Sequence, residues 1–184
     1  MTINTNSLRI GMLALLVLMS SSLRAQERAY QIELIVFTQD LPNTELFEQT
    51  ISKIDWPTSI SEVSDQRRAP HTTLDESLVL LGKDPHYRIV KYFAWSQTLP
   101  ESGDATAVRL RSIDGQLNGF LQLLQQEQSL KVLVDIEYPA DQTGSNVLYR
   151  LNEKRPVKSG ETYYLDHPRL GAIVKVELYQ SQSQ

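Results

Sequence analysis

The chain has 184 residues, 41% of them hydrophobic, with 18 Lys and Arg against 22 Asp and Glu and a formal net charge of −4. That length suits one compact domain, and the acidic balance argues against general nucleic-acid binding. Cysteine is absent, which excludes a disulfide framework, thiolate chemistry and a lipid-modified cysteine at a processed amino terminus.

Residues 1–25 read as a cleavable secretory signal peptide. The first nine residues are mostly polar and end on Arg9. Residues 10–19 form an apolar run, and Ser20, Ser21, Ser22 and Ala25 supply a small-residue exit. The run is shorter than the roughly 20 residues a membrane span needs, and no later stretch is long and apolar enough to cross. Cleavage after Ala25, or after Ser22, is expected to release a periplasmic protein with no membrane span. Residues 26–180 then form a single α+β domain, and residues 181–184 a frayed tail. The leader takes two basic residues, Arg9 and Arg24, and no acid, so the exported part is more acidic than the whole chain.

Residues 30–37 alternate at first and finish in a continuous run of β-branched and aromatic residues, which predicts a central strand. Residues 41–72 are polar and rich in Ser, Pro and Asp. They predict a long loop with a short helical turn and with Trp56 tucked beneath it. A short helix is expected over 73–82, with Thr73 as N-cap, Glu76 three residues on and Gly82 as the stop. Strands follow at 87–97, rich in aromatics, and at 107–111.

Residues 117–124 carry two conflicting signals, of which the pattern alone favours the helix. Leu117, Phe120, Leu121 and Leu124 have helical spacing, but Gly115 and Gly119 each weaken a helix by up to about 1 kcal/mol. An alternating strand over 130–138 comes next, and residues 125–129 are polar enough to turn between two strands. Beyond it lie a turn at 141–146, a strand at 147–157 that Pro156 pushes to a sheet edge, an extended piece at 162–165 and a closing strand at 172–179. The count is six or seven strands with few helices. The fold class is α+β, mainly antiparallel β-sheet with one or two short helices.

Charge is uneven along the chain. Residues 41–66 hold five acids and one base, whereas residues 147–175 hold six bases (Arg150, Lys154, Arg155, Lys158, Arg169, Lys175) and three acids. A basic carboxy-terminal region on an acidic protein suits an anionic polymer or an acidic partner, although a solvated sheet face gives the same composition. The three histidines, His71, His86 and His167, have no metal-ligand spacing. No nucleophile elbow, phosphate loop or dinucleotide fingerprint occurs. No catalytic residue, metal site or cofactor is assigned. The densest local constellation is Tyr163-Tyr164-Leu165-Asp166-His167-Pro168. Asp166 beside His167 allows an oriented imidazole, but no nucleophile is tied to it, and a turn set by Asp166 and Pro168 is favoured. If extended, Tyr163 and Tyr164 point to opposite faces, one into the core and the other free to stack on a sugar or peptide.

Three segments resemble the CsiV family of periplasmic peptidoglycan-binding proteins. Residues 30–39, Tyr-Gln-Ile-Glu-Leu-Ile-Val-Phe-Thr-Gln, are similar to its opening strand, and residues 87–97, Tyr-Arg-Ile-Val-Lys-Tyr-Phe-Ala-Trp-Ser-Gln, to a second segment. The most specific likeness joins Tyr149-Arg150-Leu151-Asn152-Glu153-Lys154-Arg155 to the Ser159–Pro168 stretch and the Gly-led strand 171–176. The chain departs from the family at Gln128-Ser129-Leu130-Lys131, where a ligand that used those side chains would meet different chemistry.

The resemblance implies a strand rather than a helix over 117–124, hence a hairpin with 130–138. It also implies a non-enzymatic envelope protein that binds peptidoglycan and supports cell-wall assembly, through a penicillin-binding protein and its lipoprotein activator. Sugar faces suit aromatic stacking, and stem-peptide carboxylates suit Arg and Lys. The expected ligand-binding residues are Arg150, Arg155, Tyr163, Tyr164, Asp166 and His167. The alternatives are an envelope scaffold that binds protein and no glycan, and an envelope hydrolase using Asp166 and His167.

Overall fold

A strand covered on both faces cannot alternate polar and apolar residues, and the first strand shows why residues 30–37 read as a nearly continuous apolar run. In β1, Arg28–Gln39, the side chains of Tyr30, Ile32, Leu34 and Val36 enter the main core, while Ile35 and Phe37 enter a second cluster on the opposite face. The computed structural model describes residues 28–40, 53–100, 103–126, 129–140 and 147–179. The expected signal peptide, the 141–146 turn and the tail beyond 180 lie outside the described residues.

After β1 the described elements are β2 (Ile60–Glu62), a 3-10 turn (Val63–Asp65), β3 (Arg67–Arg68), α1 (Asp75–Lys83), β4 (Tyr87–Leu99) and β5 (Ala107–Arg111). Then follow β6 (Asn118–Gln126), β7 (Ser129–Pro139), β8 (Leu148–Val157), β9 (Thr162–Leu165) and β10 (Leu170–Tyr179). They form two five-stranded sheets in the orders β3-β4-β1-β10-β9 and β2-β5-β6-β7-β8. All described pairings are antiparallel except β2 with β5. One core joins the inner faces: Ile32, Leu34, Trp95 and Val174 from the first sheet meet Leu110, Leu121, Val134 and Leu151 from the second. The molecule is therefore a β-sandwich with a single described helix on the outside of the first sheet. Among the described residues no helix is long and apolar enough to cross a membrane.

The mainly antiparallel β class holds, but the described strands number ten rather than six or seven. The additions include β2 and β3, three and two residues long, inside the segment expected to be a loop. The helical spacing at 117–124 belongs to a strand: β6 pairs with β7 from Asn118↔Glu137 to Gln126↔Ser129. The edge position expected for residues 147–157 is found, since β8 is the last strand of the second sheet.

The helix forms where expected, but its ends differ. Thr73 does not cap it: its backbone N–H (2.9 and 3.1 Å) and its hydroxyl (2.7 Å) all donate to the carboxylate of Glu33, as does the Leu74 N–H. A carboxylate from β1, 40 residues away in sequence, thus meets the positive end of α1 in place of a local cap. Gly82 lies inside the helix, which continues through Lys83. Tyr92 also donates to Glu33, at 2.5 Å. Burial alone would raise the carboxyl pKa of Glu33, but the bonds from Tyr92, Thr73 and Leu74 outweigh it and hold the group below its ordinary range.

Candidate functional site

The geometry of one sandwich end begins with Gln39, the last residue of β1, which is buried. Its backbone N–H donates to the Arg169 carbonyl at 3.1 Å. Its side-chain amide donates to the His167 carbonyl (2.8 Å) and to Asp166 Oδ1 (3.3 Å), and its Oε1 accepts from the Tyr164 hydroxyl at 2.9 Å. That hydroxyl also reaches Asp166 Oδ1 at 3.0 Å. Three of the residues singled out in the sequence, Tyr164, Asp166 and His167, are thus gathered around a glutamine that sequence reasoning passed over.

Within the turn, the Leu170 N–H donates to the His167 carbonyl, and the Arg169 N–H donates to His167 Nδ1 at 3.2 Å. An Nδ1 that accepts a backbone N–H carries no proton, so the imidazole is neutral with its hydrogen on Nε2. Burial pushes the His167 pKa down, against the opposing pull of Asp166. Asp166 Oδ1 is meanwhile bonded to Gln39 and Tyr164. This is the chemistry of a locked turn. A catalytic dyad needs Nδ1–H aimed at the carboxylate.

The two tyrosines of β9 do face opposite ways. Tyr163 packs against the main core, and its hydroxyl donates to Glu161 Oε2 at 2.7 Å and accepts the Lys158 N–H at 2.9 Å. Tyr164 stacks on Phe37 with ring centroids 6.0 Å apart, so one face of its ring is already covered. Gly171, on β10 between them, makes this possible. A Cβ there would come within 2.5 Å of the Phe37 ring. Burial, followed by the bond to Asp166, pushes the Tyr164 pKa up to about 12.

The two arginines separate. The Arg155 guanidinium bridges from β8 to β9, donating to the Tyr164 carbonyl, lying 5.8 Å from the Tyr163 ring and pairing with Glu153 at 3.4 Å. It closes the gap between the edge strands of the two sheets. Arg150 lies on the outer face of the second sheet, where it forks onto the buried Asp135 with bonds of 2.7 and 2.6 Å. On that face Trp56 packs against Phe120, with centroids 5.9 Å apart, and the Arg109 guanidinium sits 4.9 Å from its ring. Trp56 is therefore a cover for Phe120, still more than a third exposed, rather than a side chain tucked away.

Beside the Gln39 network, the ends of β1 and β7 and the starts of β4 and β8 surround a polar cleft of about 290 Å³. Its lining includes Gln39, Arg88, Tyr138, Tyr149 and Arg169. Tyr149 also faces the His167 ring, at 5.9 Å between centroids, which joins the cleft to the turn. Of these residues, Gln39, Arg88, Tyr138 and Arg169 carried no local motif. Gln39 and Arg88 lay in the two amino-terminal segments quoted for the resemblance, Arg169 among the bases of residues 147–175 and Tyr138 at the end of an expected strand, and none of these signals marked a site. Among the described residues no group of three His, Asp or Glu side chains is placed to hold a metal ion.

Comparison with curated proteins and with solved structures gives no match. Residues 121–179, which run from β6 to β10 and carry the Asp166-His167-Pro168 turn, match the model of the CsiV family, described as peptidoglycan-binding protein.

Proposed function

We propose that the protein is a non-enzymatic peptidoglycan-binding protein of the cell envelope. In this reading it is periplasmic after loss of residues 1–25 and supports cell-wall assembly through a penicillin-binding protein and its lipoprotein activator. The family match over residues 121–179 carries the reading. The site chemistry agrees with it. The sandwich end offers guanidinium groups and tyrosine hydroxyls, which suit the carboxylates and hydroxyls of a cell-wall polymer. Tyr164, Asp166 and His167 surround Gln39, and Arg155 backs them from β8. Arg150 is committed elsewhere, to Asp135, and is the weakest of the proposed ligand contacts. The hydrolase reading loses ground because Asp166 and His167 are each engaged in holding the turn.

The test is sedimentation of the exported protein with purified sacculi at low and high salt. Binding that weakens as salt rises supports an electrostatic adaptor. Absence of binding at either salt would remove the proposal.

A scaffold that binds protein rather than glycan is favoured by one observation. Val79 and Leu80 of α1 are more than half exposed beside a groove of about 380 Å³ that includes Phe37, Leu81 and Ile173. Capture of a protein partner without glycan, together with no sedimentation on sacculi, is the result that selects it.

A further inference from the structure

We infer that the cleft at the sandwich end is a subsite for the carboxylate of a short peptide, with Arg88 as its anchor. This rests on the peptidoglycan reading and narrows it to the stem peptide rather than the glycan strand.

Arg88 is exposed near the start of β4, and among the described residues it has no carboxylate within ion-pair distance. Its described hydrogen bond is from Nη2 to the Tyr138 hydroxyl at a long 3.3 Å, and that hydroxyl donates onward to Gln116 at 2.9 Å. A guanidinium presents a planar fork of five N–H donors, matched to a carboxylate. Here one arm is oriented by a phenol, and the rest of the fork makes no hydrogen bond to another described residue. The neighbouring acid, Asp114, accepts from the Ser112 hydroxyl and the Gln116 N–H through one oxygen, and its charge acts on Arg88 without an ion-pair contact, so an incoming carboxylate competes with it.

Arg169 brings a second guanidinium to the same cleft. It pairs with Asp40, whose side chain is 89% exposed, so an incoming carboxylate exchanges for it readily in solvent. The aromatic rings around the cleft are less free. Tyr87 meets Phe37 edge-on at 5.5 Å, and Tyr149 meets His167. Rings packed in this way offer edges and hydroxyls more than open faces for a sugar. The cleft's size lies near the roughly 300 Å³ at which small-ligand sites begin, which suits a few peptide units and not a glycan chain.

The experiment is titration of the exported protein with a synthetic stem tripeptide, and with the same tripeptide after conversion of its carboxylates to carboxamides. Binding is followed by calorimetry and by amide chemical shifts. The free-acid tripeptide is expected to bind and to shift the residues around Arg88. Arg88→Ala should weaken it by at least about tenfold, the cost of a hydrogen-bonded charge contact, with Arg88→Lys in between. Because Arg88 is exposed, an unchanged amide spectrum outside the cleft will show that the variant folds. Absence of tripeptide binding, equal binding by Arg88→Ala, or equal binding of the carboxamide form overturns the inference. Sacculus sedimentation in parallel separates the two claims. Wild-type protein that pellets with sacculi but ignores the tripeptide sinks the cleft and leaves the peptidoglycan reading intact. Protein that takes the tripeptide through Arg88 but fails to pellet keeps the cleft and sinks the polymer reading.

Discussion

Arg150 grips Asp135 through two hydrogen bonds of 2.7 and 2.6 Å, one to each carboxylate oxygen, and the Asp135 side chain is only 2% exposed. The pair ties β8 to β7 across the outer face of the second sheet. Removing the guanidinium strands a buried charge, and breaking such a pair costs roughly 3–5 kcal/mol. Arg150→Ala is expected near the lower end, about 3 kcal/mol, since the guanidinium itself is partly in solvent. Urea unfolding measures it. Adding Asp135→Asn should recover part of the loss by removing the charge. A loss below about 0.5 kcal/mol would mean that the fork contributes no more than an ordinary surface pair.

Arg155 should behave differently. It donates to the Tyr164 carbonyl on an edge strand, where water can replace it, and its other partners, Glu153 and the Tyr163 ring, are partly exposed. Arg155→Ala is expected to cost about 1 kcal/mol, the net worth of one hydrogen bond. A fall in sacculus binding with little loss of stability will mark Arg155 as a ligand contact. Read through the double replacement of Arg150 and Arg155, the same fall would be confounded by unfolding.

Glu33 gives the protein an acid limit. Its folded carboxyl pKa lies below the ordinary 4.5, despite burial, because of the bonds from Tyr92, Thr73 and Leu74. The unfolded chain therefore holds the proton more tightly than the folded one, so stability rises with pH across this window. The contribution is fully present above the unfolded value of 4.5 and is lost as pH falls through the depressed folded value. Glu33→Gln should lower stability at neutral pH and flatten its decline below 4.5. Urea midpoints from acid to neutral pH check this. A variant with the wild-type slope would show that other carboxylates set the limit.

How much of this was legible in the sequence depended on how many faces each strand covers. The one-sided edge strand β8 and the alternating β7 could be read directly. The β6 strand could not be read in this way. Leu121 and Leu123 enter the main core, while Phe120 on the opposite face is covered by Ile54 and Trp56. Apolar residues on both sides of a strand erase the period of two and, by coincidence of spacing, imitate a helix. The strands β2 and β3 are too short to leave a pattern. The helix cap was misread because its acceptor, Glu33, comes from a distant strand. The turn residues Asp166 and His167 stood out because they are adjacent. The cleft did not, because Gln39, Arg88, Tyr138 and Arg169 meet only once the sheets are assembled.

Gly119 shows that the glycine which argued against a helix has a task in the strand. Its φ is +150°, and a Cβ there would sit 2.2 Å from the Asp135 carbonyl oxygen and 2.6 Å from the Ile136 Cα. Those are backbone atoms in the middle of a paired ladder, so no side-chain rotation relieves the clash. Gly119→Ala is expected to destabilise by about 3 kcal/mol, the upper part of the usual overpacking range. Gly171→Ala should disturb the Phe37–Tyr164 stack, and with it the Gln39 network, through a clash of 2.5 Å with the Phe37 ring. Thermal unfolding compares the two. A Gly119→Ala protein as stable as wild type would contradict the β6–β7 register.

His167 separates a turn from a catalytic dyad. Its Nδ1 accepts the Arg169 N–H, and burial holds its pKa below the ordinary 6.5 while Asp166 pulls the other way. Nitrogen-detected NMR is expected to find the Nε2–H tautomer and a midpoint below 6.5. Asp166→Asn should lower that midpoint further by removing the opposing charge. The linkage sign follows. The unfolded chain takes up the proton first as pH falls, so acidification from 6.5 towards the folded value reduces stability, and His167→Gln should remove that component. A dyad shifts the wild-type midpoint in the opposite sense, because a carboxylate bonded to Nδ1–H raises the histidine pKa above 6.5, whereas Asp166→Asn lowers the midpoint in either arrangement. A midpoint above 6.5 with the proton on Nδ1, or release of soluble muropeptides that depends on His167, would return the hydrolase reading to first place.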